Sequence, residues 1–139
     1  MNRFVLDASV ALAWFIDKPQ PQYAREIRRR LTLDARAVVP ALWHLETANG
    51  FALAERRGAF TPAETEQYLV EVESLLATCI ETQTELRPLR ETVSTAIARR
   101  LSAYDALYLD VAQNLALPLA TLDRDLRTAA TKAGVLIVQ

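Results

Sequence analysis

Four acidic residues stand among apolar neighbours. Asp7 in "RFVLDASVAL" follows the apolar run Phe4, Val5, Leu6 and precedes a second apolar segment, and Asp123 comes directly after "LPLATL". Glu46 lies inside "ALWHLETANGFAL" and Asp105 inside "SAYDALYLDVA". A charge on or beside a buried face is costly unless it is paired or coordinated. No Arg or Lys stands at helical spacing on the same side of Glu46 or Asp105 to supply the pairing. Four converging carboxylates would repel one another and lose solvation. The usual compensation is a divalent cation that prefers oxygen ligands, Mg²⁺ or Mn²⁺. Such a centre suits phosphodiester hydrolysis: the metal polarises a phosphoryl oxygen, lowers the pKa of a bound water and holds the attacking group in line.

Each acid also has a plainer reading. Asp7 would serve as a helix N-cap, its charge matched to the positive end of the dipole. Asp105 would be the third residue of a helix capped by Ser102. Asp110 lies five residues beyond Asp105, well round the helix, and is expected to be solvated.

The elements that must position these acids alternate. A strand over 3–6 leads to a short helix near 9–15, and "KPQP" breaks the chain. A helix over 21–31 follows, with Tyr23, Ile27 and Leu31 spaced four apart, and "AVVP" at 37–40 is a short strand ended by Pro. The next helix, 42–57, stops at Gly58 and offers Leu42, Leu45, Ala48 and Ala52 as its core-facing side. "TPAE" at 61–64 starts another, with Thr61 as N-cap, Pro62 at the first position and Glu64 three after the cap. That helix ends near Leu76, and "TCIE" is a strand. Two helices over 84–100 and 103–116, a strand over 117–122, a helix over 123–133 and a closing strand "GVLIV" at 134–138 complete the pattern. Ala106, Leu109 and Ala112 mark the apolar side of the helix that carries Asp105.

Short apolar strands separated by helices imply an α/β fold with a mainly parallel sheet of four to five strands covered on both faces. Right-handed crossovers align the C-terminal strand ends along one edge. Asp7 and Asp123 sit at such ends, where open α/β sheets bind ligands.

The bulk properties narrow the choice. The 139 residues suit one domain, 1–139, and a formal net charge of −1 excludes a general basic coat for nucleic acid. Only two of the sixteen basic residues are Lys, and Arg clusters at 25–30, 56–57 and 99–100 offer a local basic rim for flanking phosphates. Three glycines are too few for phosphate-cradling loops. The single Cys79 allows no internal disulfide and suits a reducing cytoplasm. His44, the only histidine, gives little support for a zinc site or a His-based triad. Neither a signal peptide nor a membrane-length apolar run is expected.

"FVLDASVAL", "HLETANGFA" and "SAYDALYLDVAQNLALPLATLDRDL", in this order and spacing, resemble the PIN domain family. The likeness spans essentially the whole chain and is closest to the VapC-type ribonuclease toxins of toxin–antitoxin pairs. It implies a three-layer α/β/α PIN-like fold and Mg²⁺- or Mn²⁺-dependent endoribonuclease activity. It also implies a homodimer, or a larger assembly with antitoxin, and inhibition by a cognate VapB-type antitoxin. The family's acidic positions carry over onto Asp7, Glu46, Asp105 and Asp123, and its supporting polar positions onto Ser9, Asn49 and Thr121. In "TLDRDL" the family's Thr-x-Asp pattern selects Asp123, while Asp125 could share or replace its role.

Three rivals differ in what they require. A phosphoacceptor receiver needs a central strand-end Asp and a nearby Lys, and "AVVP" ends without an acid. A phosphatase using "DRD" at 123–125 would carry its nucleophile strand near the N-terminus, where only a lone Asp stands. A catalytically inactive PIN-like RNA- or protein-binding module would not need all four acids.

Overall fold

The computed structural model describes residues 2–139. Four strands, β1 (Arg3–Leu6), β2 (Arg36–Pro40), β3 (Ile80–Gln83) and β4 (Leu119–Ala120), form one parallel sheet in the order β3-β2-β1-β4. Phe4, Val5, Leu6, Val38, Val39 and Leu119 are buried, as strands covered on both faces must be. The helices are α1 (Ala8–Ile16), α2 (Gln22–Leu33), α3 (Ala41–Arg56), α4 (Pro62–Thr78), α5 (Leu89–Arg99), α6 (Ala103–Leu115) and α7 (Arg124–Lys132).

From β1 to β3 the chain steps one way across the sheet, then returns past β2 and β1 to reach β4. Right-handed crossovers therefore put α1–α4 on one face and α5–α6 on the other. The packing agrees: α1 meets α2 and α3, α3 meets α4, and α6 lies against α5, α7 and the sheet. α1 and α3 approach so closely that a Cβ on Gly50 would stand 2.4 Å from Leu12 Cδ2. Phe15, Phe51, Phe60 and Tyr68 join α1, α3 and α4 through ring contacts with centroids 5.0–5.6 Å apart.

The Thr61 capping box forms as its sequence predicts, with reciprocal bonds between Thr61 and Glu64. Other expectations are corrected. The core side of α3 is Trp43, Thr47, Phe51 and Ala54, while Leu45 is 71% exposed and Ala48 and Ala52 also face outward. The large aromatic surfaces of Trp43 and Phe51 outweigh the aliphatic stripe. "TCIE" starts as helix, because the Cys79 N–H still bonds to Leu75 O, so β3 begins at Ile80. The segment 84–88 is not helical, and α5 opens after Pro88. "GVLIV" contributes only a bridge between Leu119 and Ile137, since β4 is two residues long and offers little ladder to extend.

Asp110 is buried rather than solvated, and Thr95 Oγ1 donates to its Oδ1 at 2.6 Å. α5 packs over the side of α6 that the sequence pattern marks as outer.

Candidate active site

The order β3-β2-β1-β4 reverses direction at β1 and β4. A crevice opens at the C-terminal ends of the two strands flanking such a switch point. Asp7 follows β1 directly, and its N–H continues the ladder to Ala120 O at 3.0 Å. Asp123 lies three residues past β4 and begins α7.

Asp7 occupies the N-cap position of α1, yet its side chain makes no capping bond. It is 5% exposed, and its Oδ2 accepts from both Ser9 Oγ and Thr121 Oγ1, each at 2.7 Å. The same hydroxyls accept from the backbone opposite: Leu122 N–H donates to Ser9 Oγ at 3.1 Å, and Asp123 N–H to Thr121 Oγ1 at 3.0 Å. Two hydroxyls thus fix Asp7 to the β4–α7 turn and fix the turn itself. Arg127 adds a bond to Thr121 O at 2.7 Å while lying over the Tyr23 ring.

Asp123 caps α7, its Oδ1 accepting from Leu126 N–H at 2.8 Å. Ser102 caps α6 by accepting from Asp105 N–H at 3.1 Å, and its hydroxyl also acts to lower the Asp105 carboxyl. Glu46 is held from across the sheet end: Tyr108 Oη donates to its Oε1 at 2.6 Å. Tyr108 is fully buried. The expectation drawn from sequence overlooks it, although its place three residues after Asp105 sets both on neighbouring positions of one helix face.

These four acids share one electrostatic field. Burial, then Asp123, Asp7 and Glu46, push the Asp105 carboxyl up to about 6. Burial raises Asp7 against the lowering effect of its hydroxyl donors, with Asp123 adding to the rise. Burial and the charge of Asp7 raise Glu46 against its bond from Tyr108. None of the four forms an ion pair among the described residues. Glu46 Oε2 and Asp123 Oδ2 accept from no described residue. Hard, anionic, unshared oxygens are the donor set for Mg²⁺ or Mn²⁺, so the residues fit such an ion. Among the described residues no three acidic, His or Cys side chains are drawn together at ligand spacing.

The remaining candidates fall outside this group. Asn49, one turn beyond Glu46 on α3, is exposed and bonds to none of the four carboxylates. Asp125 is exposed in the first turn of α7, and the charge that reaches Asp7 and Asp105 from this turn is that of Asp123. His44 bonds to Thr82 Oγ1 at 2.8 Å, away from the acids. The 25–30 Arg cluster is largely neutralised within the chain. Arg28 faces Glu71 at 3.9 Å and lies over Trp14 and Phe15, while Arg29 and Arg30 both pair with Glu26.

Known proteins share this fold. A family model described as PIN domain matches residues 4–132. The crystal structure of PAE2754 from Pyrobaculum aerophilum superposes with a TM-score of 0.69 at 26% identity, covering 92% of this chain and 84% of that one. FitAcB from Neisseria gonorrhoeae gives 0.65 at 18% identity, covering 98% and 96%. A domain of a functionally unknown protein from Methanocaldococcus jannaschii gives 0.59 at 19%, covering 99% and 90%. At those two lower identities the likeness speaks for the fold alone. No curated protein matches the chain.

Proposed function

The chain belongs to the PIN domain family, and from that premise we propose that it is a metal-dependent endoribonuclease of the VapC type, one PIN domain over residues 1–139. One observation supports the reading. Carboxylates from four separate segments act on one another's charge around the switch-point crevice, and none of them is in an ion pair with a described residue. A second charge of the right kind is what such a group lacks.

Asp7, Glu46, Asp105 and Asp123 would hold Mg²⁺ or Mn²⁺. Bound there, the ion would polarise a phosphoryl oxygen and lower the pKa of its water. The protein's own work is positional. Ser9 and Thr121 fix Asp7 and the start of α7, and Tyr108 fixes Glu46. Asn49 keeps only the supporting polar part that the family likeness implies, as an exposed side chain on α3.

The same reading supplies partners: an RNA substrate, a VapB-type antitoxin and a second copy of the chain, in the cytoplasm. Leu89, Val93 and Ile97 run four apart along α5 at 82%, 48% and 74% exposure, an uncovered apolar stripe suited to self-association. No helix among the described residues is long and apolar enough to cross a membrane.

The test is cleavage of structured RNA by purified protein with Mg²⁺ or Mn²⁺. Asp7→Asn and Asp105→Asn should abolish it with the fold intact, because Asn keeps the shape and loses the charge. Asp123→Asn should cost far more activity than Asp125→Asn, and Asn caps α7 about as well as Asp. Near wild-type turnover in Asp7→Asn or Asp105→Asn would overturn the metal-nuclease reading.

A further inference from the structure

A nuclease whose centre is four carboxylates repels its own polyanionic substrate, and a net charge of −1 gives the molecule no general attraction to offset this. Attraction must come from a local set of free cations. Several Arg residues are spent within the chain. Arg3 pairs with Glu81, Arg28 with Glu71, Arg29 and Arg30 with Glu26, and Arg87 with Glu91.

Of the cations without an acidic partner among the described residues, four gather in one place. Arg99, Arg100, Arg124 and Lys132 line one cleft of about 500 Å³ between the α5–α6 turn and α7, with Thr128 and Asp125. None of the four has an acidic partner among the described residues. Against them stands one carboxylate, Asp125, so the cleft is strongly positive on balance.

Its location ties it to the carboxylates. Arg124 follows Asp123 directly. Arg99 and Arg100 lead through Leu101 to Ser102, the cap that sets the start of α6 and hence Asp105. The cleft runs along α7 from Arg124, next to Asp123, to Lys132, and is closed by the end of α5 and Leu101, just before α6 begins. A strand laid across the acids and continuing past α7 therefore meets these cations next. Guanidinium groups bind phosphate oxygens in pairs at fixed geometry, so an Arg-rich wall favours a phosphate backbone.

We propose that this cleft binds the phosphates of the RNA strand beside the scissile bond, through Arg99, Arg100, Arg124 and Lys132. The proposal rests on the nuclease reading and adds where its substrate lies.

The test is fluorescence anisotropy of a short, mixed-sequence, single-stranded RNA oligonucleotide in chelator, repeated across a range of KCl concentrations. The cleft variant is Arg99→Gln/Arg124→Gln/Lys132→Gln. Arg100 is left in place because it closes α5 at φ 55, a left-handed conformation sensitive to side-chain type. A variant of equal charge change elsewhere, Arg25→Gln/Arg29→Gln/Arg56→Gln, is the control. The cleft variant should bind more weakly, and its log–log salt slope should fall by about two, at roughly 0.7 for each phosphate no longer neutralised. With Mn²⁺ its KM for RNA should rise while kcat at saturation holds, and the control should keep the wild-type slope.

An unchanged slope in the cleft variant, or an equal fall in the control, overturns the proposal while wild-type cleavage leaves the nuclease reading standing. Retained RNA binding with loss of an acidic protein partner would make the cleft a protein-docking site and equally overturn it. Wild-type protein that neither binds nor cleaves RNA would remove the nuclease reading and this inference together.

Discussion

Thr121 Oγ1 donates to Asp7 Oδ2 at 2.7 Å, joining positions 114 residues apart in the chain. The contact couples the two strands of the switch point through their first residues beyond the sheet. Because Thr121 also accepts from Asp123 N–H, one hydroxyl sets the relative placement of two acids. It acts on the site without being one of its charges.

Thr121→Val removes both bonds at nearly constant volume. The half-buried Asp123 N–H is then left without its acceptor, at a cost of about 1–3 kcal/mol. Urea unfolding should show that loss, and Mn²⁺-dependent cleavage should fall with it. Thr121→Ser keeps the hydroxyl and should restore most of both. Full activity in the Val variant would mean that β4 and α7 place Asp123 without help.

Tyr108→Phe isolates the bond to Glu46. The ring stays buried, and only the 2.6 Å donation to Oε1 is removed. Partners that orient metal-binding carboxylates are worth on the order of tenfold or more in metal affinity. Mn²⁺ titration followed by calorimetry should show that weakening, with stability changed by about 1 kcal/mol at most. In a Glu46→Gln background the same substitution should add nothing. A further loss of affinity in that background would show that Tyr108 acts through something other than Glu46.

The legible parts of this molecule are those where local chemistry and tertiary structure agree. The capping box at Thr61 and the helix stop at Gly58 are written in residue types that favour those conformations. α5 and α6 end with the same left-handed turn, but at Arg100 and Ala116, each with φ 55. Only the packing of Leu101 and Leu117 onto the core marks those ends. The acids at strand ends could be read from apolar surroundings alone. Tyr108 could not, because a buried tyrosine at helical spacing looks like ordinary core. Asp110 misled for a related reason: α6 is covered on two sides, and a single-faced pattern hides the second.

Asp105 gives the site a pH signature. Its carboxyl is raised from 3.8 to about 6 by burial and by the three other acids. Between those values the folded protein holds a proton that the unfolded chain has released. The stabilising contribution is therefore complete below 3.8 and is lost as pH rises through about 6. Asp105→Asn removes it. In chelator, the melting temperature of the variant minus that of wild type should grow across this interval and level off above it. A difference that does not vary with pH would mean that Asp105 is free of its neighbours' charges.

Asp7 is the strictest case, because a helix cap and a repelled carboxylate demand opposite outcomes. Asn caps about as well as Asp, so a capping role leaves the melting temperature of Asp7→Asn level or slightly lowered. The structure removes the premise of that role, since no capping bond leaves the Asp7 side chain. Asp7 is instead a buried carboxylate, raised by burial and by Asp123, with hydroxyl donors that a neutral amide oxygen could also satisfy. In chelator at neutral pH, Asp7→Asn should melt above wild type. Added Mg²⁺ or Mn²⁺ should reverse the order: at about ten times its dissociation constant the ion stabilises wild type by roughly 1.4 kcal/mol, and the variant by much less. Differential scanning fluorimetry with and without metal reads both effects. A variant no more stable than wild type in chelator, with both proteins indifferent to metal, would leave Asp7 as a hydrogen-bonded core residue and break the four-carboxylate centre at its first member.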